Sequence, residues 1–249
     1  MFIENIHIFW YVGIGLLGLL MGRVVDLANR NLPEHKKVFS IKTIIEYIKT
    51  TKANYTLMVL VSVLYIALLR VIGMDDKIEL IQLLILTPML ISAFCIDYKL
   101  QIIPNRLTLA MFEVGLIFSF IRGMNNLNIA IEMWLGMLLG ASVFLILTFL
   151  GNIIFKKETM GFGDVKLMGA LGLFFGWRSI IAISVLSFFI AAIFSIILIV
   201  KNKAKKEEIV EFIPFGPFIV LSAIVVMFIP LNVWIKLMFY IFTLGKYKF

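Results

Sequence analysis

The sequence predicts an all-α protein, a polytopic membrane helix bundle of about eight transmembrane helices, and three observations carry that reading. Hydrophobic residues make up 62% of the chain and charged residues only 15%, against roughly 45–50% and about 25% in a soluble domain. The apolar residues fall in runs of roughly 20, the length a helix needs to cross the hydrocarbon core. Lys and Arg concentrate in alternate connections between those runs, as the positive-inside rule requires of a multi-pass chain.

In chain order, spans are predicted over 8–27, 55–73, 78–97, 107–122, 129–153, 165–177, 179–200 and 212–230. The first has no basic n-region and no small-residue cleavage site behind it, so it reads as a retained span. The 165–177 run is short and glycine-rich, which predicts a tilted or partly buried helix. A last run, 232–245, contains Lys236 and Tyr240 and reads either as a ninth span or as an interfacial helix. The basic connections are 23–54, 98–106, 154–163 and 201–211, and they are assigned to the cytoplasm. Segments 73–77, 123–128 and 177–179 are poor in Lys and Arg and fall on the other side, together with the N-terminus. Residues 1–54 thus form an N-terminal transmembrane helix and a short cytoplasmic loop, with an amphipathic surface helix around 41–49. Residues 55–249 form the membrane-embedded bundle.

The net charge of +8 follows from this topology. No basic face interleaved with aromatics points to nucleic acid. One cysteine, Cys95, and two histidines, His7 and His35, exclude an intramolecular disulfide and a Cys-rich zinc site. Cys95 reads as a small buried filler in a span.

An ionisable side chain at membrane depth is costly, and each one is a candidate for function. Four carboxylates qualify: Asp97, Glu113, Glu132 and Asp164. Asp97 ends an apolar helix and precedes a loop closed by Pro104 and Asn105. Asp164 follows Gly161-Phe-Gly163 and opens a helix rich in small residues, Gly169, Ala170, Gly172 and Gly176. The two glycines allow close backbone approach and positive φ. Read singly, Asp97 is a helix-end carboxylate in the headgroup zone and Asp164 an N-capping residue. The predicted topology places both at the same membrane face. Two such carboxylates in mutual reach share a proton and hold a water, one acting as base while the other donates to a scissile carbonyl. The pair titrates as a unit, so neither is fixed as acid or base. Elimination agrees: there is no His-Glu-x-x-His, no histidine placed to activate a serine, and no P-loop.

Of the other acids, Glu113 is expected to pair inside the bundle or face a watery cavity, and Glu132 to be interfacial. Lys166 lies close enough to Asp164 to tune the pair, or snorkels at the membrane edge. Glu158, with Glu207, Glu208 and Glu211, offers negative charge in otherwise basic loops. Pro88 interrupts the 78–97 helix and is expected to kink it.

Met160-Gly-Phe-Gly-Asp164-Val-Lys166-Leu, together with Asp97 and Ile103-Pro104-Asn105-x-Leu107-Thr108, resembles the type IV prepilin leader peptidases. That family belongs to the GxGD aspartyl intramembrane proteases. Ile213-Pro-Phe-Gly-Pro217 resembles a further family segment. Gly22, Asp26 and Pro33 resemble a worn form of its N-terminal Gly…Asn…Arg-x-Pro stretch. The resemblance implies that Asp97 and Asp164 are the catalytic pair, with Gly161, Gly163, Lys166, Pro104 and Asn105 in support. It implies a prepilin or pseudopilin substrate, cut after the glycine that ends its basic leader, at the cytoplasmic face of the inner membrane. No metal or cofactor is implied for the peptidase step. S-adenosylmethionine would be required if the product is also N-methylated. Many relatives carry two Cys-x-x-Cys pairs in the first cytoplasmic loop, and residues 28–54 contain no cysteine. Two readings from other classes remain open on sequence grounds: a small carboxylate-dependent membrane transporter, and an inactive pilus or secretion assembly scaffold.

Overall fold

The structure, a computed structural model, describes residues 2–3, 6–34, 40, 45, 47, 54–156, 160–205, 213–229, 233–234 and 236. Apart from a hairpin of two-residue strands, β1 (Phe2–Ile3) and β2 (Ile6–His7), its elements are helices. These are α1 (Ile8–Asn31), α2 (Tyr55–Ile72), α3 (Lys77–Leu100), α4 (Asn105–Asn125), α5 (Leu127–Phe155), α6 (Phe162–Lys205) and α7 (Gly216–Phe228). Six of them, α1 to α6, are long and apolar enough to cross a membrane. The sixth is broken at Gly176 (φ 72°, ψ 172°) into two arms, so the described helices supply the eight helical segments the sequence predicts. Of the predicted surface helix at 41–49, only Ile45 and Tyr47 are described, both helical. The last run, 232–245, lies largely outside the described residues. Contacts divide the chain into two units, Met1–Val114 and Gly115–Phe249.

In the first unit α1 and α2 pack backbone to backbone. A Cβ on Gly18 would stand 2.5 Å from Ser62 Cα, and one on Gly22 would overlap Met58 Cα. Such approach is how membrane helices gain van der Waals contact where lipid gives no hydrophobic drive. The Ser62 hydroxyl donates to the Gly15 carbonyl at 2.8 Å across the same seam. Val25, Val61, Tyr65 and Ile91 then close a core shared by α1, α2 and α3. Side chains cap the helix starts: Asn54 Oδ1 accepts from Leu57 N–H and Asp76 Oδ1 from Glu79 N–H. Gly73, at φ 73°, terminates α2.

Pro88 sits inside α3. Lacking an N–H, it leaves the Leu84 carbonyl without its helical donor. Tyr65, fully buried on α2, supplies the missing hydrogen bond: its hydroxyl donates to Leu84 O at 2.5 Å. A proline break in a span is tolerated where a neighbour satisfies the freed group in this way.

In the second unit the first arm of α6 lies flat against α5. Gly136, Gly140, Gly169 and Gly172 line the contact. A Cβ on Gly140 would come within 2.6 Å of Met168 O, and one on Gly172 would run into the Gly136 backbone. From Asp164 to Phe174 this arm is almost wholly buried, more so than the tilted or partly buried helix expected from its glycine content. The second arm packs on α7 through ring contacts: Phe188–Phe215 centroids lie 4.9 Å apart and Phe194–Phe218 5.4 Å. Pro217 at the start of α7 has no N–H to leave unsatisfied.

One expectation needs correcting here. The first basic connection does not begin at residue 23, because α1 continues to Asn31. Arg23, Asp26 and Arg30 are therefore helical, and polar contacts at that end of the unit offset their charge.

Candidate active site

Asp97 lies one turn before the end of α3 and is 5% exposed. Ser92, Ala93 and Ile96 before it are buried, whereas Tyr98 and Leu100 beyond it are open. Asp97 is thus the last inward-facing side chain before the helix emerges. Its carbonyl accepts from Gln101 N–H at 2.9 Å, and Gln101 takes the left-handed conformation (φ 56°) that stops the helix. Pro104, buried, then starts α4: its carbonyl accepts from Leu107 N–H at 3.0 Å and Thr108 N–H at 3.3 Å. Asn105 is the first, exposed residue of α4, and its carbonyl accepts from the Thr108 hydroxyl at 3.1 Å. The loop after Asp97 is therefore pinned at both ends by main-chain bonds.

Asp164 lies in the first turn of α6 and is 6% exposed. Its N–H donates to Gly161 O at 3.0 Å, closing the turn that starts the helix. A helix N-terminus is a favourable place for a carboxylate. The glycines do not act as expected, since neither Gly161 nor Gly163 has positive φ. Gly161 lies beside the carboxylate: a Cβ there would stand in ordinary contact with Asp164 Oδ2, at 3.7 Å. Lys166 is exposed and holds its Nζ over the Phe162 ring, 5.0 Å from the centroid. Glu158 lies outside the described residues. Asp97 belongs to the first unit and Asp164 to the second.

The remaining acids divide. Glu132 on α5 pairs with Arg178, just past the Gly176 break, at 3.7 Å, both half exposed, as an interfacial residue would. Glu113 is exposed on α4. Cys95 is half-buried, more open than a core filler.

Sequence reasoning missed a polar clasp in the first unit. Asp26, 6% exposed, accepts from the Tyr47 hydroxyl at 2.6 Å and pairs with Arg30 Nε at 3.3 Å. The Arg30 guanidinium also stands over the Tyr47 ring. Burial, then the Asp26 carboxylate, pushes the Tyr47 hydroxyl up to about 12. The i,i+4 spacing of Asp26 and Arg30 was visible in the sequence. Nothing there joined them to Tyr47.

Residues 84–196, which contain both aspartates and both of their loops, match the type IV leader peptidase family. That segment is similar to the members of this family. It is 32% identical over 140 residues to the prepilin leader peptidase/N-methyltransferase of Aeromonas salmonicida, covering 56% of this chain and 46% of that protein. It is 32% identical over 151 residues to the protein of that name from Legionella pneumophila, covering 61% and 50%. Against the one from Neisseria gonorrhoeae it is 34% identical over 151 residues, covering 61% and 49%. The chain spans about half the length of the curated relatives it matches. No solved structure matches it. With six helices long and apolar enough to span, and a segment that matches the type IV leader peptidases, it is an integral membrane protein.

Proposed function

We propose that this protein is a membrane aspartyl endopeptidase that removes the basic leader from type IV prepilin or pseudopilin precursors. The observation that carries the reading is the burial of Asp97 and Asp164, each at a helix end beside a loop, inside the family-matched segment. Counting crossings supports placing them together: α3 ends on the side where α6 begins if α4 and α5 each cross once. The basic connections on that side support a cytoplasmic site in the inner membrane. Residues 55–249 then form the peptidase bundle, and 1–54 the helix and loop that precede it.

In the proposed mechanism the two carboxyl groups share one proton and hold a water between them. One takes a proton from the water as it attacks the carbonyl of the leader glycine, while the other donates to the carbonyl oxygen. The roles reverse as the tetrahedral intermediate collapses and the amine leaves. The substrate helix unwinds locally to expose that carbonyl, which glycine favours. Glu158 is the proposed contact for the basic leader, and Gly161, Gly163 and the Pro104-Asn105 turn keep the two acids positioned. The test is cleavage of a purified prepilin in detergent. Asp97→Asn and Asp164→Asn should each lower turnover by on the order of 10³-fold or more. A variant that still cuts at the native rate would remove its aspartate from the mechanism. Absence of cleavage in the native protein would favour the scaffold or transporter reading.

N-methylation of the product is a separate proposal, with S-adenosylmethionine as co-substrate. Among the described residues, Arg23 Nε and Asn29 Oδ1 are buried without a hydrogen-bond partner, on the helix that carries Asp26. They offer a donor and an acceptor suited to the amino-acid end of the methyl donor. Binding of that donor to the native protein, and its loss in Arg23→Gln, would be measured by calorimetry independently of methyl transfer.

A further inference from the structure

Ile213-Pro-Phe-Gly-Pro217 has no part in the mechanism proposed for the aspartates, yet packing within the second unit carries it to the level of Asp164. The contact between α5 and the first arm of α6 keeps one antiparallel register: Gly136 meets Gly172, and Gly140 meets Met168. The next step of four along α5 is Phe144, and the next step of four back along α6 is Asp164, so these two lie level. Phe144 is fully buried. Its ring stands 5.7 Å from that of Phe188 and 6.0 Å from that of Phe215. Phe188 and Phe215 also touch, at 4.9 Å, so the three rings close a triangle. From Phe144 to its end at Phe155, α5 runs on for about 16 Å. The triangle therefore lies at membrane depth and not at the surface.

The backbone that this triangle holds is not helical. Ile213 precedes a proline, which disfavours the helical region, and Pro214 has no N–H with which to extend α7 backwards. Ile213, Pro214 and Phe215 are half-buried. The Phe215 carbonyl is taken by the N–H groups of Phe218 at 3.0 Å and Ile219 at 3.3 Å. Among the described residues, the Ile213 and Pro214 carbonyls accept no hydrogen bond and the Phe215 N–H donates none. Non-helical backbone at membrane depth persists only inside protein or against a watery cavity. This strap thus presents acceptors and a donor together. Lipid esters and phosphates supply acceptors alone, whereas an unwound peptide supplies both N–H and C=O.

We propose that residues 213–215 are the edge on which the unwound segment of the prepilin, around its leader glycine, is held by main-chain hydrogen bonds. The three rings fix that edge level with Asp164, which makes Phe215 a positioning residue. The inference rests on the peptidase reading and adds to it the surface that presents the scissile bond. Main-chain pairing of this kind recognises extended backbone. It selects an unwound segment over an intact helix, whose N–H groups are already taken.

The test uses synthetic prepilin peptides in which one backbone amide at a time, other than the scissile one, is replaced by an ester and so loses its N–H. With the native protein in detergent, an ester at a position beside the glycine should lower kcat/KM roughly three- to tenfold, and esters far from it should have no effect. Phe215→Leu keeps an apolar side chain but opens the triangle. It should lower kcat/KM for the all-amide peptide and shrink the ester penalty to below about twofold. Binding is read separately in Asp164→Asn, which retains uncut peptide. A p-benzoylphenylalanine in place of Ile213 should crosslink to residues flanking the glycine, and one in place of Met124, at the far end of α4, should not. A flat ester series, or no crosslink from position 213, overturns the proposal while cleavage of the all-amide peptide leaves the peptidase reading standing. Crosslinking from position 213 without any cleavage by the native protein does the reverse: the strap stands as a peptide-binding edge and the peptidase reading falls.

Discussion

Tyr65→Phe tests how a proline is accommodated inside a span. The substitution keeps the buried ring and removes only the hydroxyl that donates to Leu84 O at 2.5 Å. Because Pro88 cannot donate to that carbonyl, the variant leaves a buried acceptor unpaired, at a cost of about 1–3 kcal/mol. In a Pro88→Ala background, residue 88 regains its N–H and bonds Leu84 O along the helix. There Tyr65→Phe should cost below about 1 kcal/mol. A double-mutant cycle should therefore show a coupling of about 1–2 kcal/mol. Unfolding is followed by far-ultraviolet circular dichroism as a denaturing detergent is mixed into mild micelles. Effects that add within about 0.3 kcal/mol would refute the pairing of Pro88 with Tyr65. The same cycle has a functional readout. Asp97 lies nine residues beyond Pro88, about 14 Å along the axis, so where Pro88 sets the course of the helix, Pro88→Ala should shift Asp97 and lower prepilin cleavage.

Gly172→Ala should destabilise the second unit by about 1–3 kcal/mol through overpacking against Gly136, whereas Gly13→Ala, with open space around it, should be neutral or stabilising by up to about 1 kcal/mol; thermal unfolding in detergent compares them. Tyr47, whose hydroxyl titrates near 12 in place of 10, contributes stability that is complete below pH 10 and falls as pH rises towards 12. Proteolysis of the 35–53 segment should therefore accelerate over that window in the native protein, and Tyr47→Phe should lack the alkaline phase. Asp26→Asn keeps an acceptor for Tyr47 and should protect the segment better than Asp26→Ala in the same assay. Glu158→Gln should raise the KM for a prepilin with a basic leader and leave kcat within about twofold, read by steady-state cleavage.

Much of the fold was legible because lipid imposes one strong rule: each crossing needs a long apolar run. Hence 55–73 and 78–97 appear as α2 and α3 within a few residues. The errors arise where polar groups are satisfied by tertiary contacts that hydropathy cannot see. Helix α1 runs past Arg23 because Asp26, Arg30 and Tyr47 meet there. The predicted connection at 177–179 is instead a single positive-φ residue, Gly176, after which the helix resumes at once. Glycine pattern announced close helix contact but not its partners, since Gly172 meets Gly136 from a helix 36 positions earlier. The two aspartates were singled out by cost: each is an acid next to an apolar helix. They are buried together with their chain neighbours Ile96 and Val165, which no local motif specifies.

The bend at Gly176 also fixes a depth. Twelve residues separate it from Asp164, about 18 Å of helix, against a hydrocarbon thickness of about 30 Å. With Arg178 and Glu132 holding the bend at one headgroup layer, the opposite end of this arm stops about 10 Å short of the other. Hydrophobic mismatch of this kind draws the bilayer inward around a short segment. A thinned patch would lower the barrier for a charged leader to reach an acid that the arm itself cannot carry to the surface, and shorter-chain lipids should then quicken cleavage.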